Sequence, residues 1–189
     1  MSAVTIYTAG HSNRTVAALL ELLGEAGIET VVDVRRIPHS GRWPQFKRNA
    51  LESTLASAGI RYVWEGEALG GQLPWSEAAA RHPAIEDRSF AAYAAHMEGE
   101  DFRGAVKRVR AMAQEQRIAL LCAEREPAHC HRSLISDYLC AFGDDVVHLV
   151  RPGERVVHTL RVEARIEGDR LIYDAGRQHD LGLDPRPAR

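Results

Sequence analysis

The sequence predicts an α/β fold with an open, mostly parallel β-sheet, helices on both faces in a Rossmann-like arrangement, and a C-terminal β-hairpin. Short apolar segments at residues 4–9, 30–34 and 60–64 alternate with amphipathic helical patterns at residues 15–26 and 45–58. The composition, 45% hydrophobic and 26% charged, is that of a globular protein. A length of 189 residues suits one compact unit.

The same alternation continues in the second half of the chain. Helical patterns at residues 90–96 and 102–116 precede a fourth strand at residues 118–123, and a helix at 132–142 leads into a fifth strand at 145–150. Strands that are joined by helices rather than by hairpin turns pair in parallel. These elements therefore predict an α/β domain that ends near the fifth strand.

Two regions depart from this pattern. Residues 66–88 hold three glycines and two prolines, which predicts a long loop able to grip a ligand, with a short helix at 76–81 as an alternative. We expect domain 1–150 to be followed by an extension, 151–189. Its apolar and charged residues alternate before Gly168, which predicts a hairpin that caps the sheet edge or forms a dimer contact.

The extension should end in a loose tail at residues 183–189.

Lys and Arg number 24 against 26 Asp and Glu, a net charge of −2, so affinity for phosphate polymers needs a local basic patch. No apolar run approaches the roughly 20 residues of a membrane helix, and the first residues do not follow the plan of a secretory signal. We expect a cytoplasmic protein without a membrane partner; the oligomeric state stays open.

Polar residues follow the first two predicted strands, at the edge of the sheet where α/β proteins bind ligands. His11 is a candidate ligand contact, while Ser12 and Asn13 contact a ligand or cap the next helix. Strand alternation places Asp33 and Arg35 on one face. Asp33 is then either a catalytic carboxylate or a structural partner of Arg35 or of the backbone.

A basic segment, residues 35–48, follows the second strand and contains no acidic residue. Five positive charges with interleaved aromatic rings suit phosphate contact and base stacking, although a solvated basic loop is the alternative. The candidate ligand-binding residues of the basic segment are Arg35, Arg36, Arg42, Trp43, Lys47 and Arg48.

The fourth strand leads into a second group of candidates. Glu124 follows the strand as a site carboxylate or a solvated loop residue, and Cys130, His131 and Arg132 lie where a helix begins and attracts anions. Cys130, at the helix start between two histidines, should favour its thiolate.

The three cysteines, an odd number, argue against a disulfide scaffold and for reduced thiols. Cys122 and Cys140 should simply pack in the interior. A metal held by Cys122, His129, Cys130 and His131 is conceivable, but seven residues between the two cysteines match no usual structural zinc motif. We therefore expect no metal and no cofactor.

Several motifs together resemble a known family, the one named domain of unknown function 488. In chain order they are residues 7–13 (YTAGHSN), residues 32–35 (VDVR) with Pro38 and Ser40 following, Phe46, residues 69–71 (LGG), residues 121–124 (LCAE) and residues 130–132 (CHR). The resemblance covers about residues 4–150. It implies little about activity, because the family is named for lacking one, beyond a suggestion of action on nucleic-acid bases.

The leading hypothesis is an enzyme that hydrolyses the N-glycosidic bond of a modified or damaged base in DNA, which the basic segment would hold. Asp33 or Glu124 would stabilise an oxocarbenium-like sugar or activate water. A flipped base would stack on Trp43, with His11 and Arg35 holding phosphate or base edges.

Two other classes of function stay open. One is a non-catalytic protein that binds nucleotides or other phosphorylated ligands through Arg35 and the helix start at residues 130–132. The other is a thiol-dependent enzyme that uses Cys130.

Overall fold

The computed structural model describes residues 3–39 and 41–174 of the chain. The strands are β1 (Thr5–Gly10), β2 (Thr30–Asp33), β3 (Arg61–Trp64), β4 (Ile118–Cys122), β5 (Asp145–Arg151), β6 (Glu154–Val157), β7 (Ala164–Glu167) and β8 (Arg170–Tyr173). The α-helices are α1 (Val16–Glu25), α2 (Arg48–Ser57), α3 (Gly66–Leu69), α4 (Arg88–Met97), α5 (Glu100–Glu115) and α6 (Arg132–Ala141). Short 3₁₀ helices cover Pro44–Phe46, Glu77–Arg81 and Pro127–His129.

The main sheet has the strand order β3-β2-β4-β1-β5-β6. Strands β1 to β5 pair in parallel, and β6 pairs with β5 in the antiparallel sense. From β1 the chain moves to β2 and β3 on one side of β1. It then returns to β4, which lies between β2 and β1, and crosses to β5 on the other side of β1. The direction of the strand connections therefore reverses between the neighbouring strands β4 and β1. At such a point the loops that leave the carboxyl ends of the two strands run apart and leave a crevice between them.

Helices cover both faces of this sheet, as the sequence predicts. Val32 and Leu120 face one apolar cluster, which is completed by helices α4, α5 and α6. Val31 and Leu121 face the other, which is completed by α1 and α2. Neighbouring residues of a strand point to opposite faces, and β2 and β4 are buried on both sides. Strand β4 is apolar throughout, whereas in β2 the apolar Val31 and Val32 lie between the buried polar residues Thr30 and Asp33. Each fully buried leucine or valine stabilises the fold by about 1.5–3 kcal/mol.

The C-terminal hairpin is present as β7 and β8, and within the described residues it forms a separate two-stranded sheet. It does not extend the main sheet, because Leu171 and Tyr173 are instead buried in the cluster on the α4 side. The sequence did not predict β6, whose residues are all exposed and follow a turn at Gly153, φ 74°. The predicted tail at residues 183–189 lies outside the described residues.

The segment at residues 66–88 is a long connection, as predicted, with the short helix α3 and the 3₁₀ helix Glu77–Arg81 inside it. Helix α1 begins differently from the prediction. Its first turn is capped by Thr15, whose hydroxyl accepts from the Ala18 N–H at 3.1 Å, and not by Ser12 or Asn13. None of the helices in the described ranges combines the length and the apolar character needed to cross a membrane.

Candidate functional site

A cleft of about 950 Å³ lies at the carboxyl ends of β1, β2 and β4. It is of the size that holds small-molecule ligands. The sequence-predicted residues that line it are His11, Ser12, Arg35, Arg36, Arg42, Trp43, Glu124, Cys130 and His131. The predicted residues that lie outside its lining are Asp33, Lys47, Arg48 and Arg132.

Backbone hydrogen bonds bring the loops after β1 and β4 together. The N–H of His11 donates to the Cys122 carbonyl at 3.0 Å, and the N–H of Ser12 donates to the Ala123 carbonyl at 2.7 Å. Gly10 allows this approach, because a Cβ there would lie 1.8 Å from the Glu124 carbonyl oxygen. The two loops therefore form one continuous wall of the cleft.

Asp33 is wholly buried and forms an ion pair with Arg35. Its Oδ1 accepts from the Arg35 backbone N–H at 3.0 Å and from Arg35 Nε at 2.9 Å. Its Oδ2 accepts from Arg35 Nη2 at 2.5 Å and from the Tyr62 hydroxyl at 2.7 Å. Four hydrogen bonds occupy the lone pairs of the carboxylate. The structural pairing of Asp33 with Arg35, offered by the sequence as an alternative, is present.

Arg35 connects this carboxylate to His11. Its Nη1 contacts His11 Nε2 at 3.1 Å and donates to the Phe46 carbonyl at 2.8 Å. A guanidinium only donates, so His11 Nε2 accepts, and His11 Nδ1–H donates to the Ser12 carbonyl at 3.0 Å. Burial, reinforced by the charge of Arg35, lowers the pKa of His11 to about 4. His11 is therefore a neutral ring, and it stacks on Phe46 with centroids 4.3 Å apart.

Two thiols and an imidazole form the second group at the cleft. His131 Nδ1 lies 3.8 Å from Cys122 Sγ and 3.9 Å from Cys130 Sγ. His131 Nε2 lies 3.1 Å from the Val34 carbonyl, which only accepts. Nε2 therefore carries the proton of the neutral ring, and the lone pair of Nδ1 faces the sulfurs.

The two thiols differ in acidity. A hydrogen bond donated by Cys130 holds the pKa of Cys122 well below its usual value despite its burial. Donation of that hydrogen bond, together with burial, raises the pKa of Cys130. The sequence expectation of a favoured thiolate at Cys130 stays a prediction, and Cys122 is the acceptor of the hydrogen bond between the two thiols.

The loop after β4 carries Glu124 on its exposed side and rests on Arg132 beneath. Arg132 is 1% exposed, and its Nη2 donates to the Glu124 and Arg125 carbonyls at 2.8 and 2.9 Å. Arg132 therefore holds the loop from the interior. Throughout the described residues, no hydrogen bond or ion pair involves the Glu124 carboxylate, which faces solvent at the cleft.

The basic segment divides into two parts. Arg36 and Arg42 line the cleft, and the Arg42 guanidinium lies 5.4 Å from the centre of the Trp43 ring. Arg48 instead lies over Trp64 at 4.6 Å. This cation–π contact turns it away from the cleft lining. Only the first part of the segment is placed to meet a ligand.

The cleft also contains Arg125, Phe90 and Tyr93, which the sequence did not single out, together with His129 and Gly71. The sequence named His129 as a possible metal ligand, and it placed Gly71 both in the segment predicted to grip a ligand and in the motif of residues 69–71. Phe90 and Tyr93 come from α4, and helical periodicity alone predicts them as core residues.

One family model, described as domain of unknown function DUF488, matches residues 15–139 of the 189-residue chain. This is about two thirds of its length, and the chain belongs to this family. The resemblance seen in the sequence is thereby confirmed. No curated protein and no solved structure gives a significant match.

Proposed function

We propose that the cleft binds a phosphorylated ligand of nucleotide size. The observation that carries the proposal is the exposed pair Arg36 and Arg42 beside the fixed guanidinium of Arg35. Asp33, His11 and the Phe46 carbonyl hold the Arg35 side chain in one orientation, so it forms a fixed part of the wall beside which Arg36 and Arg42 meet the ligand. Arginine forms paired hydrogen bonds to phosphate, which makes it suited to such a ligand.

Binding can be measured by calorimetry with a nucleoside monophosphate and by fluorescence anisotropy with a short labelled DNA strand. We expect Arg36→Ala and Arg42→Ala each to weaken binding about 10-fold, the value of one charged hydrogen bond. Arg61→Ala is the matched control. Arg61 is exposed at the amino end of β3, whereas the cleft lies at the carboxyl ends of the neighbouring strands. Equal affinity in all four proteins, or no binding, would reject the proposal.

A second candidate is hydrolysis of the N-glycosidic bond of a modified base in DNA. It is favoured by the carboxylate of Glu124, which forms no hydrogen bond or ion pair within the described residues, with the rings of Trp43 and Phe90 in the lining of the same cleft. Glu124 would activate the attacking water. Asp33 would act as a positioning residue through Arg35, since its oxygens are already occupied.

The test is incubation with a panel of DNA duplexes that carry different modified bases, with mass spectrometry for released base. Glu124→Gln should reduce base release at least about 100-fold, the usual contribution of a general base, while DNA affinity is retained. Unchanged release in Glu124→Gln would remove this assignment. The proposal includes a reducing compartment such as the cytoplasm, since the three cysteines are free thiols.

A further inference from the structure

Three side chains at the cleft have the composition of a metal site. The ligand atoms of Cys122, Cys130 and His131 all lie within 4.8 Å of one another, and all three residues line the cleft. We propose that these three residues bind one Zn²⁺ ion, whose fourth coordination position faces the cleft. This proposal does not depend on the phosphorylated ligand proposed above.

The separations fit a tetrahedral ion. With Zn–S of about 2.3 Å and Zn–N of about 2.0 Å, tetrahedral angles place sulfur and nitrogen about 3.5 Å apart. The two sulfur-to-Nδ1 distances of 3.8 and 3.9 Å exceed this by a few tenths of an ångström. Small rotations of the side chains would therefore bring the three atoms around one ion, with no movement of the backbone.

The surroundings of His131 orient its ring as a ligand. The Val34 carbonyl, just beyond the end of β2, fixes the proton on Nε2 and leaves Nδ1 as the coordinating atom. Metal-bound histidines usually donate their other ring N–H to such an acceptor. Gly71 keeps the ring accessible, because a Cβ at that position would lie 2.8 Å from Nδ1.

The ligand chemistry selects zinc among common ions. Two thiolates and an imidazole are soft to borderline donors, which suit Zn²⁺ and not Mg²⁺ or Ca²⁺. Two cysteines and one histidine with an open position form one of the sets found in catalytic zinc sites. Seven residues separate the two cysteines along the chain, which matches no usual structural zinc motif, but the fold brings them together. Cys122 ends β4 and Cys130 precedes α6, and the intervening loop folds back to bring them together.

The full chain, freed of metal and kept reduced, is titrated with Zn²⁺ and separately with Co²⁺. We expect one ion per chain by elemental analysis. Co²⁺ should give the near-ultraviolet thiolate charge-transfer absorption and the visible bands of a tetrahedral site. Independently of any variant, bound Zn²⁺ should slow alkylation of Cys122 and Cys130 by iodoacetamide, and peptide mass spectrometry should show that Cys140 is unaffected.

Cys122→Ser, Cys130→Ser and His131→Gln should each lower Zn²⁺ affinity by at least about 100-fold, since loss of outer-shell partners alone costs 10- to 100-fold. Gly71→Ala removes no ligand but presses on Nδ1, and should lower affinity about 10-fold. Cys140→Ser is the matched control, because Cys140 lies in α6 away from the cluster, and it should bind as the wild type does.

Three outcomes would overturn the proposal. One is substoichiometric Zn²⁺ in the wild-type chain. The second is a Co²⁺ spectrum without thiolate absorption. The third is a Cys122–Cys130 disulfide that forms under the same reducing conditions and leaves no metal bound. Circular dichroism of each variant distinguishes loss of a ligand from loss of the fold, and the alkylation result stands without any variant.

Discussion

Two buried aspartates, Asp33 and Asp137, form networks of similar composition in different parts of the molecule. Both are wholly buried, and each pairs with an arginine and accepts from a tyrosine hydroxyl. The tyrosine of Asp33 is Tyr62, at 2.7 Å, and that of Asp137 is Tyr173, at 3.0 Å. Both networks also include histidine.

The networks differ in where they lead. From Asp33, hydrogen bonds pass through Arg35 to His11, and both of these side chains line the main cleft. From Asp137 they pass through His158 to His148 and end on the Thr8 hydroxyl, inside the sheet. The Asp137 network joins α6 and β8 to β1 and β5 and does not reach the main cleft lining.

A buried, fully paired carboxylate therefore does not by itself mark a catalytic site. Removing one partner of a buried pair is costly in either network, because it leaves a charge unpaired. Function follows from the member of the network that reaches the cleft. For Asp33 this member is Arg35, whose position the carboxylate fixes.

The largest expected effect is on stability, and it is similar for both aspartates. Asp33→Ala and Asp137→Ala should each lower the free energy of unfolding by about 3–5 kcal/mol, measured by urea denaturation. Their effects on ligand affinity should differ. Only Asp33→Ala should weaken binding of a nucleoside monophosphate, by about 10-fold in the folded fraction. Equal affinity losses in the two variants would remove the distinction between the networks.

The next effect is a pH dependence that both networks share. Burial, with the neighbouring His158, lowers the pKa of His148 to about 3, and that of His11 is about 4. Both fold as neutral rings, whereas in the unfolded chain they take up protons below about pH 6.5. The stability that the two neutral rings give to the folded protein is therefore fully present above about pH 6.5. It is lost as the pH falls from there towards the folded-state pKa values of about 4 and about 3.

Between pH 7 and pH 5 each histidine should cost about 2 kcal/mol of stability. His148→Gln should remove about half of this combined slope in urea titrations at several pH values. A steeper loss of stability in His148→Gln than in the wild type would contradict the assignment.

The smallest effect on stability is expected at the cleft rim. Arg42 is exposed, lies over the Trp43 ring, and forms no hydrogen bond or ion pair within the described residues. Arg42→Ala should therefore change the free energy of unfolding by no more than about 0.5–1 kcal/mol. Ligand affinity should nevertheless fall, which would separate binding from stability at this position. Thermal denaturation and calorimetry on the same sample measure both quantities.

Much of the fold could be predicted from the sequence, because its strands and helices carry clear apolar periodicity. The exposed strand β6 could not, since none of its residues is buried. At the site, strand order brings the candidate residues to one edge of the sheet. The pairing of Asp33 with Arg35 is local, and strand alternation offers it as one alternative. The directions of other side chains depend on tertiary contacts that periodicity does not encode: Arg35 also reaches His11, Arg132 points inward beneath the loop, and His131 faces two thiols.

The central claim is that ligand binding belongs to the cleft and not to the Asp137 side of the molecule. It is tested most directly by following backbone amide chemical shifts while a nucleoside monophosphate is titrated into the wild-type protein. We expect the largest shifts at residues 11–13, 35–39 and 123–131 and small shifts at residues 158–173. The largest shifts at residues 158–173, or none at millimolar ligand, would contradict it.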